Sequence, residues 1–407
     1  MNLLRSLSRM SAFELSCILQ LGIGTMFMFV GLDTHSFILE SVLHSVSSRA
    51  PSRINKYAGY SGQACLYITF AIANLFAPSL IRRYDPKWSV FIGSLFNTLY
   101  YIGFQYINSY YFYFSAVLLG IGSAVFYTGH GCYLTEHSRE KHMARNASVS
   151  WAVACLSFTT GGLILIWAFN KNEVVEEDGY REFSDSLIRY IFGAFSIFCI
   201  LSNVTFFFLR PKQPGIQTVE RQPKVSFTKG IVATFNTFKK PNIWWLSLSW
   251  LYMGIYTGFM LGVFPTTLIF TQTLSSSSIL ISFYSFSVSL GELSIAFIIS
   301  LFASHYPDFG RVPTAIIGAV IHIIVFVLVL FWTPRYSTLR PNSDNGLLFK
   351  PKFVLLAYFS FYVALLSGYC MGIADGCWNT VRCCVIPILL MNNRAEGFSI
   401  SKAFQVI

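Results

Sequence analysis

At 407 residues, with 54% hydrophobic and only 12% charged positions and a mean hydropathy of +0.56, the chain cannot be an ordinary soluble domain, where about a quarter of residues carry charge. Its formal charge of +11 suggests nucleic acid, but the lysines and arginines are scattered through the gaps between apolar runs instead of sharing one solvated face. They are read as topology signals, and nucleic acid is excluded as a partner. What remains is an all-α polytopic membrane protein whose first partner is the lipid bilayer.

A helix needs about 20 apolar residues to cross the hydrocarbon. In chain order that predicts spans at Ala12–Gly31, Tyr57–Ile81, Trp88–Ile107, Tyr111–Leu134, Ser148–Asn170 and Leu187–Leu209. The first apolar stretch runs on too long, without a small-residue cleavage site, to be a signal peptide. After a polar, basic gap come Trp244–Phe270, Ser277–Leu301, Val312–Trp332 and Phe353–Leu390. The last is too long for one crossing and is expected to contain a break or an exit. An eleventh span begins near Gly397, and the sequence ends at Ile407, so the second half reads as truncated within helix 11. Lysine and arginine favour one set of loops and the acidic Asn172–Tyr180 stretch lies in the other, which predicts a cytoplasmic amino terminus. The nine cysteines fall in or at the edges of spans, implying no disulfide framework; packing accounts for them better than palmitoylation of Cys383 and Cys384.

Six spans, a basic loop and further spans suggest two pseudo-symmetric six-helix halves: residues 1–209, a linker at 210–243, and 244–407. Weak internal similarity agrees. Gly131–Thr135 (GCYLT) in span four matches Gly376–Thr380 (GCWNT) in span ten, and Ile92-Gly93 matches Ile317-Gly318 in spans three and nine. Chance likeness between apolar segments is the alternative. Within the linker, Phe227, Ile231, Phe235 and Phe238 recur at helical spacing beside Lys229, Lys239 and Lys240. That pattern predicts an interfacial helix whose lysines could meet anionic lipid, though orientation control alone would also explain the charges.

Polar residues inside the spans are the candidates for function. In Val125–Thr135 (VFYTGHGCYLT), two glycines and a threonine surround His130; by the internal repeat, His130 corresponds to Asp375. An Asp at a helix centre costs about 2.5–3.5 kcal/mol on insertion scales, so it faces the bundle interior. Histidine changes charge near neutral pH. The two would pair across a central cavity on a solute or proton path, or else each would make a separate packing hydrogen bond. Glu292, after Gly291 in GELS, is the other intramembrane acid, with a structural and a site role equally open. Tyr127, Trp378 and Asn379 complete the cavity candidates. The short loops Arg82–Lys87 (RRYDPK) and His305–Arg311 (HYPDFGR) join acid to base, suited either to charge-paired latching of helices or to topology alone. Nothing resembles a nucleophile–base pair, a metal-ligand spacing or a phosphate-cradling loop, so no enzyme and no cofactor are expected.

Several motifs together resemble the ion-channel-regulatory, Unc-ninety-three-like branch of the major facilitator superfamily. They are GIGSAVFYTGHGCYLT in span four, ARNASVSWA opening span five, YTGFMLGVFPTTL in span seven, GELS and FGRVPTAIIGAVIH across spans eight and nine, and GIADGCWNT in span ten. The resemblance implies twelve spans in a major-facilitator-type fold. Where the family typically carries glutamine, this chain has His130 and Val381. It further implies regulation or scaffolding of another membrane protein, such as a potassium channel. The polar span residues lean instead toward a secondary transporter of a small solute by alternating access, with proton coupling an open option.

Overall fold

The computed structural model describes residues 12–171, 175–177, 180–212, 222–271, 280–306, 308–334, 336–338 and 354–407. In chain order the helices are α1 (Ala12–Arg49), α2 (Ala58–Ala73), α3 (Ala77–Arg83), α4 (Pro86–Ile102), α5 (Ser109–Glu136), α6 (Met143–Lys171) and α7 (Asp185–Phe207). They continue with α8 (Phe227–Phe238), α9 (Pro241–Gly258), α10 (Phe264–Phe270), α11 (Leu280–Phe302), α12 (Val312–Trp332), α13 (Val354–Leu389) and α14 (Arg394–Val406). Among the described residues, seven helical segments are long and apolar enough to cross a bilayer, and the bent α2–α3 pair, taken as one span, makes an eighth. A small antiparallel hairpin, β1 (Val175–Glu177) with β2 (Tyr180–Glu182), lies in the acidic loop, where no strand was expected.

The spans depart from their expected outlines where local chemistry overrides the apolar count. α1 is 38 residues long, about 57 Å at 1.5 Å per residue, and so outruns a hydrocarbon core of about 30 Å. Its expected end at Gly31 is not an end, because the polar residues that follow are satisfied by protein. Ser157 donates to Asp33 Oδ2 at 2.9 Å, and His35 Nδ1 lies 2.9 Å from the Tyr101 hydroxyl. The second span is broken into α2 and α3, which meet at 55°. The seventh is interrupted by a π-helical turn at Phe259–Val263, between α9 and α10.

Of the break or exit expected within Phe353–Leu390, no break occurs: α13 is one helix of 36 residues, longer than the hydrocarbon core, as the exit alternative requires. Its only internal proline, Pro387, lies in the last turn, where a missing N–H removes a single terminal hydrogen bond. α12, by contrast, occupies the expected Val312–Trp332, started by Pro313 in its first turn.

Helix packing relies on glycine at the closest contacts. On α13, Gly368, Gly372 and Gly376 are spaced by four and face α11: a Cβ on Gly372 would collide with the Val288 carbonyl, and one on Gly376 would lie 2.5 Å from Glu292 Oε2. Backbones can approach this closely only without side chains between them. Gly93 of α4 abuts Gly122 and Phe126 of α5, and Gly318 of α12 abuts Cys377 and Trp378 of α13. The paired glycines of the internal repeat thus both occupy helix–helix contacts. At the far end of α1, Arg49 and Arg53 both reach Asp185 at the start of α7, at 2.7 and 3.2 Å, and Arg49 also reaches Glu182 at 3.6 Å.

Candidate functional site

Among the described residues, two of the polar assemblies inside the bundle are linked through Arg382 of α13. The first is a cavity of about 460 Å³ lined by α1, α2, α5, α9 and α14, within the size range of small-molecule sites. Its walls are mostly apolar, with Asp33, Gln63, Tyr127, Lys402 and Gln405 as polar features. Lys402 Nζ sits 3.9 Å from the centre of the Tyr127 ring, a cation–π contact in a site from which both residues are largely shielded from solvent. Phe70 stacks on the other reach of Tyr127, with ring centres 5.8 Å apart. Gly254 and Gly258 line the α9 wall; a Cβ on Gly254 would run into the Gln405 carbonyl, so that glycine is what lets α14 close against α9.

The second assembly is centred on Asp375. Its Oδ2 accepts hydrogen bonds from Trp151 Nε1 of α6 at 3.0 Å and from Asn379 Nδ2 one turn along α13 at 2.8 Å. Arg382 Nη2 donates to Asn379 Oδ1 at 2.6 Å, and Arg382 Nη1 donates to Gln405 Oε1 at 2.6 Å. A continuous polar chain therefore runs from Gln405 in the cavity wall through Arg382 and Asn379 to Asp375. Beside Asp375, buried Glu292 faces Gly376 across the α11–α13 contact.

His130 and Asp375 are not bonded to each other. Asp375 is taken up by Trp151 and Asn379, whereas His130 packs its ring 5.8 Å from that of Phe126, with Nε2 making no hydrogen bond. The glycines beside it have a mechanical purpose. A Cβ on Gly129 would lie 2.9 Å from Ser89 of α4, and one on Gly131 would lie 2.6 Å from the Phe398 ring of α14. Trp378 turns away from the cavity and points Nε1 at His322 Nδ1 of α12, 3.3 Å away.

Of the sequence candidates, Tyr127 lines the cavity, and Asp375, Asn379 and Glu292 gather at the α6–α11–α13 junction. Sequence reasoning missed Asp33, Lys402, Gln405, Arg382 and Trp151. The available signal was charge within a helical run: Arg382 sits in the last quarter of span ten and Lys402 in the eleventh, while Asp33 lies just past Gly31, the expected end of the first span.

One end of the bundle is closed by contacts between its halves. Arg82 of α3 pairs with Glu396 of α14 at 2.7 Å, both buried, and the Ser399 hydroxyl donates to the Asn74 carbonyl. The RRYDPK segment therefore does latch helices, but through Arg82 to α14, while Asp85 caps α4 by accepting from Lys87 N. In the second loop the pair is local and exposed, Arg311 with Asp308 at 3.0 Å.

A family model described as ion channel regulatory protein UNC-93 matches residues 50–407. The chain belongs to the UNC-93 family. Among curated relatives of this UNC-93 chain, the UNC93-like protein MFSD11 of Xenopus laevis is 27% identical over 405 residues, covering 95% of this chain and 86% of the relative. The protein of the same name from Xenopus tropicalis is 26% identical, covering 96% and 87%. Among solved structures, the proton:xylose symporter XylE bound to 6-bromo-6-deoxy-D-glucose superposes with a TM-score of 0.66 at 15% identity, covering 97% of this chain and 86% of that one. The human organic anion transporter MFSD10 gives 0.62 at 12%, covering 97% and 91%. The fold is that of the major facilitator superfamily, as the sequence motifs implied.

Proposed function

We propose that this UNC-93 family member is a secondary transporter that loads a small polar solute in the cavity between its halves. The observation that carries this reading is a cavity of about 460 Å³ holding an acid, Asp33, and a base, Lys402, against otherwise apolar walls. Few, well-placed polar groups in an apolar pocket are what orients a small ligand. The Arg82–Glu396 latch serves as a gate, closing the end of the cavity at which α1 begins, the end that the loop charges favour as cytoplasmic. The polar chain from Gln405 to Asp375 links the occupied cavity to the junction of α6, α11 and α13, where the halves meet. Solved structures with this fold include a proton:xylose symporter and an organic anion transporter, consistent with the reading.

The test is uptake from a mixture of polar metabolites by liposomes containing the purified full chain, read by mass spectrometry against empty liposomes. At least one solute should accumulate, and Lys402→Met and Asp33→Asn should each lower its uptake roughly tenfold or more, the cost of losing a charged hydrogen-bonding partner. No accumulation of any solute, or uptake indifferent to both variants, would remove the transport reading.

The family model's description as an ion channel regulatory protein favours a second reading, in which the fold is a scaffold that regulates an ion channel. Co-expression that changes a channel's current at constant surface abundance, with Lys402→Met as effective as the unaltered chain, would support it over transport.

A further inference from the structure

We propose that Cys155, Glu292 and Asp375 form a binding site for one zinc-class divalent cation, at the junction where α6 packs against α11 and α13. This site lies apart from the solute cavity and does not rest on the transport reading. The three side chains each offer one donor atom, and those atoms, a thiol sulfur and two carboxylate oxygens, all lie within 4.8 Å of one another. Each residue is buried, at 2%, 1% and 6% exposure.

Glu292 supplies the second, independent observation. Neither of its carboxylate oxygens accepts a hydrogen bond of normal geometry, although Asp375, Trp151 and Cys155 crowd around it. Burying a carboxylate without a partner is costly. The basic side chains nearest the junction are engaged elsewhere: Arg382 on Asn379 and Gln405, Lys402 on the Tyr127 ring. A bound cation would give Glu292 the partner that the protein itself does not provide.

The donor set also selects the metal. Thiolate disfavours magnesium and calcium, which take oxygen ligands, and suits zinc. Bond lengths of about 2.3 Å to sulfur and about 2.0–2.2 Å to oxygen require donor separations of roughly 3.3–3.7 Å in a tetrahedron. Side-chain adjustments on the order of 1 Å bring the three donors to that spacing. Three protein ligands leave the fourth position to water, as in open zinc sites rather than closed structural ones. Asp375 is already held for this role by the Trp151 and Asn379 hydrogen bonds, the outer support that ligating carboxylates typically have.

The experiment titrates the chelator-stripped, purified full chain with Co²⁺ as a spectroscopic probe and with Zn²⁺ in competition with a chromophoric chelator. One equivalent should bind, with a near-ultraviolet sulfur-to-cobalt charge-transfer band that Cys155→Ser abolishes. Glu292→Gln should weaken binding at least about tenfold. X-ray absorption of the zinc-loaded unaltered chain, which needs no variant to fold, should show one sulfur and otherwise oxygen or nitrogen neighbours. No stoichiometric binding to folded protein, a cobalt band that survives Cys155→Ser, or a first shell with no sulfur or several would each overturn the assignment.

Discussion

His130 shows how a residue that stands out in sequence can owe its place to its neighbours. Gly129 and Gly131 let α4 and α14 close on opposite sides of α5, and the imidazole is carried between them. Gly131→Val should overpack against Phe398 and destabilise the protein by about 1–3 kcal/mol, with partial recovery in Gly131→Val/Phe398→Leu. Thermal unfolding of the four proteins of that cycle checks it; equal destabilisation with and without the Phe398 change would contradict it. His130→Gln, glutamine being what the family resemblance implies at this place, should destabilise the protein by no more than about 1 kcal/mol, because the ring nitrogen Nε2 has no hydrogen bond to lose. A large loss would show that the buried imidazole makes packing contacts that glutamine cannot replace.

At the scale of elements, the latch between α3 and α14 is the contact most exposed to a single change. Arg82→Ala would leave Glu396, fully buried, without its cation, at a cost of about 3–5 kcal/mol. Replacing both by apolar residues, Arg82→Met with Glu396→Leu, should cost far less, since neither charge is then buried alone. Denaturation of the single and double variants in the same detergent separates the two outcomes, and a double variant as unstable as Arg82→Ala would refute the argument. α8 makes a different contact. It turns Gly230, Thr234 and Thr237 toward the protein, with Gly230 against Ser79 of α3, stacks Phe238 on Phe404 with ring centres 5.7 Å apart, and leaves Phe227, Phe235 and the three lysines exposed. If this face meets the bilayer surface, each lysine contributes about 1 kcal/mol toward anionic lipid. Changing Lys229, Lys239 and Lys240 to Gln should then abolish the preference of the purified protein for anionic over neutral lipid in native mass spectrometry. Retained preference would assign those lysines to orientation alone.

For the whole molecule, the fold was largely legible because a bilayer imposes one ruler on every crossing. α12 matched its expected limits, bounded by Pro313 and by the polar Thr333. The misreadings share one cause: the ruler measures the match to lipid, and helices continue wherever protein satisfies their polar residues. Thus α1 runs past Gly31 because Ser157 and Tyr101 receive Asp33 and His35. The same cause hid much of the candidate site. Lys402 of α14 faces Tyr127 of α5 across the bundle, and Arg382, besides bonding Asn379 one turn back, reaches Gln405, 23 residues on. Glu292 and Asp375 could be singled out as buried acids, but their meeting with Cys155 depends on the glycine stripe of α13, whose partner face lies some 80 residues away.

In the proposed cycle, solute crosses through the cavity when the end that Arg82 and Glu396 hold shut opens. The most direct measurement joins those two positions as Arg82→Cys/Glu396→Cys with a short, reducible bis-methanethiosulfonate linker and follows solute uptake in liposomes. Uptake should fall to the level of empty liposomes when the linker is in place, return on reduction, and be unaffected by the reagent in either single variant. A linked protein that still carries solute at the unlinked rate would show that this end never opens, and the alternating-access account would be wrong.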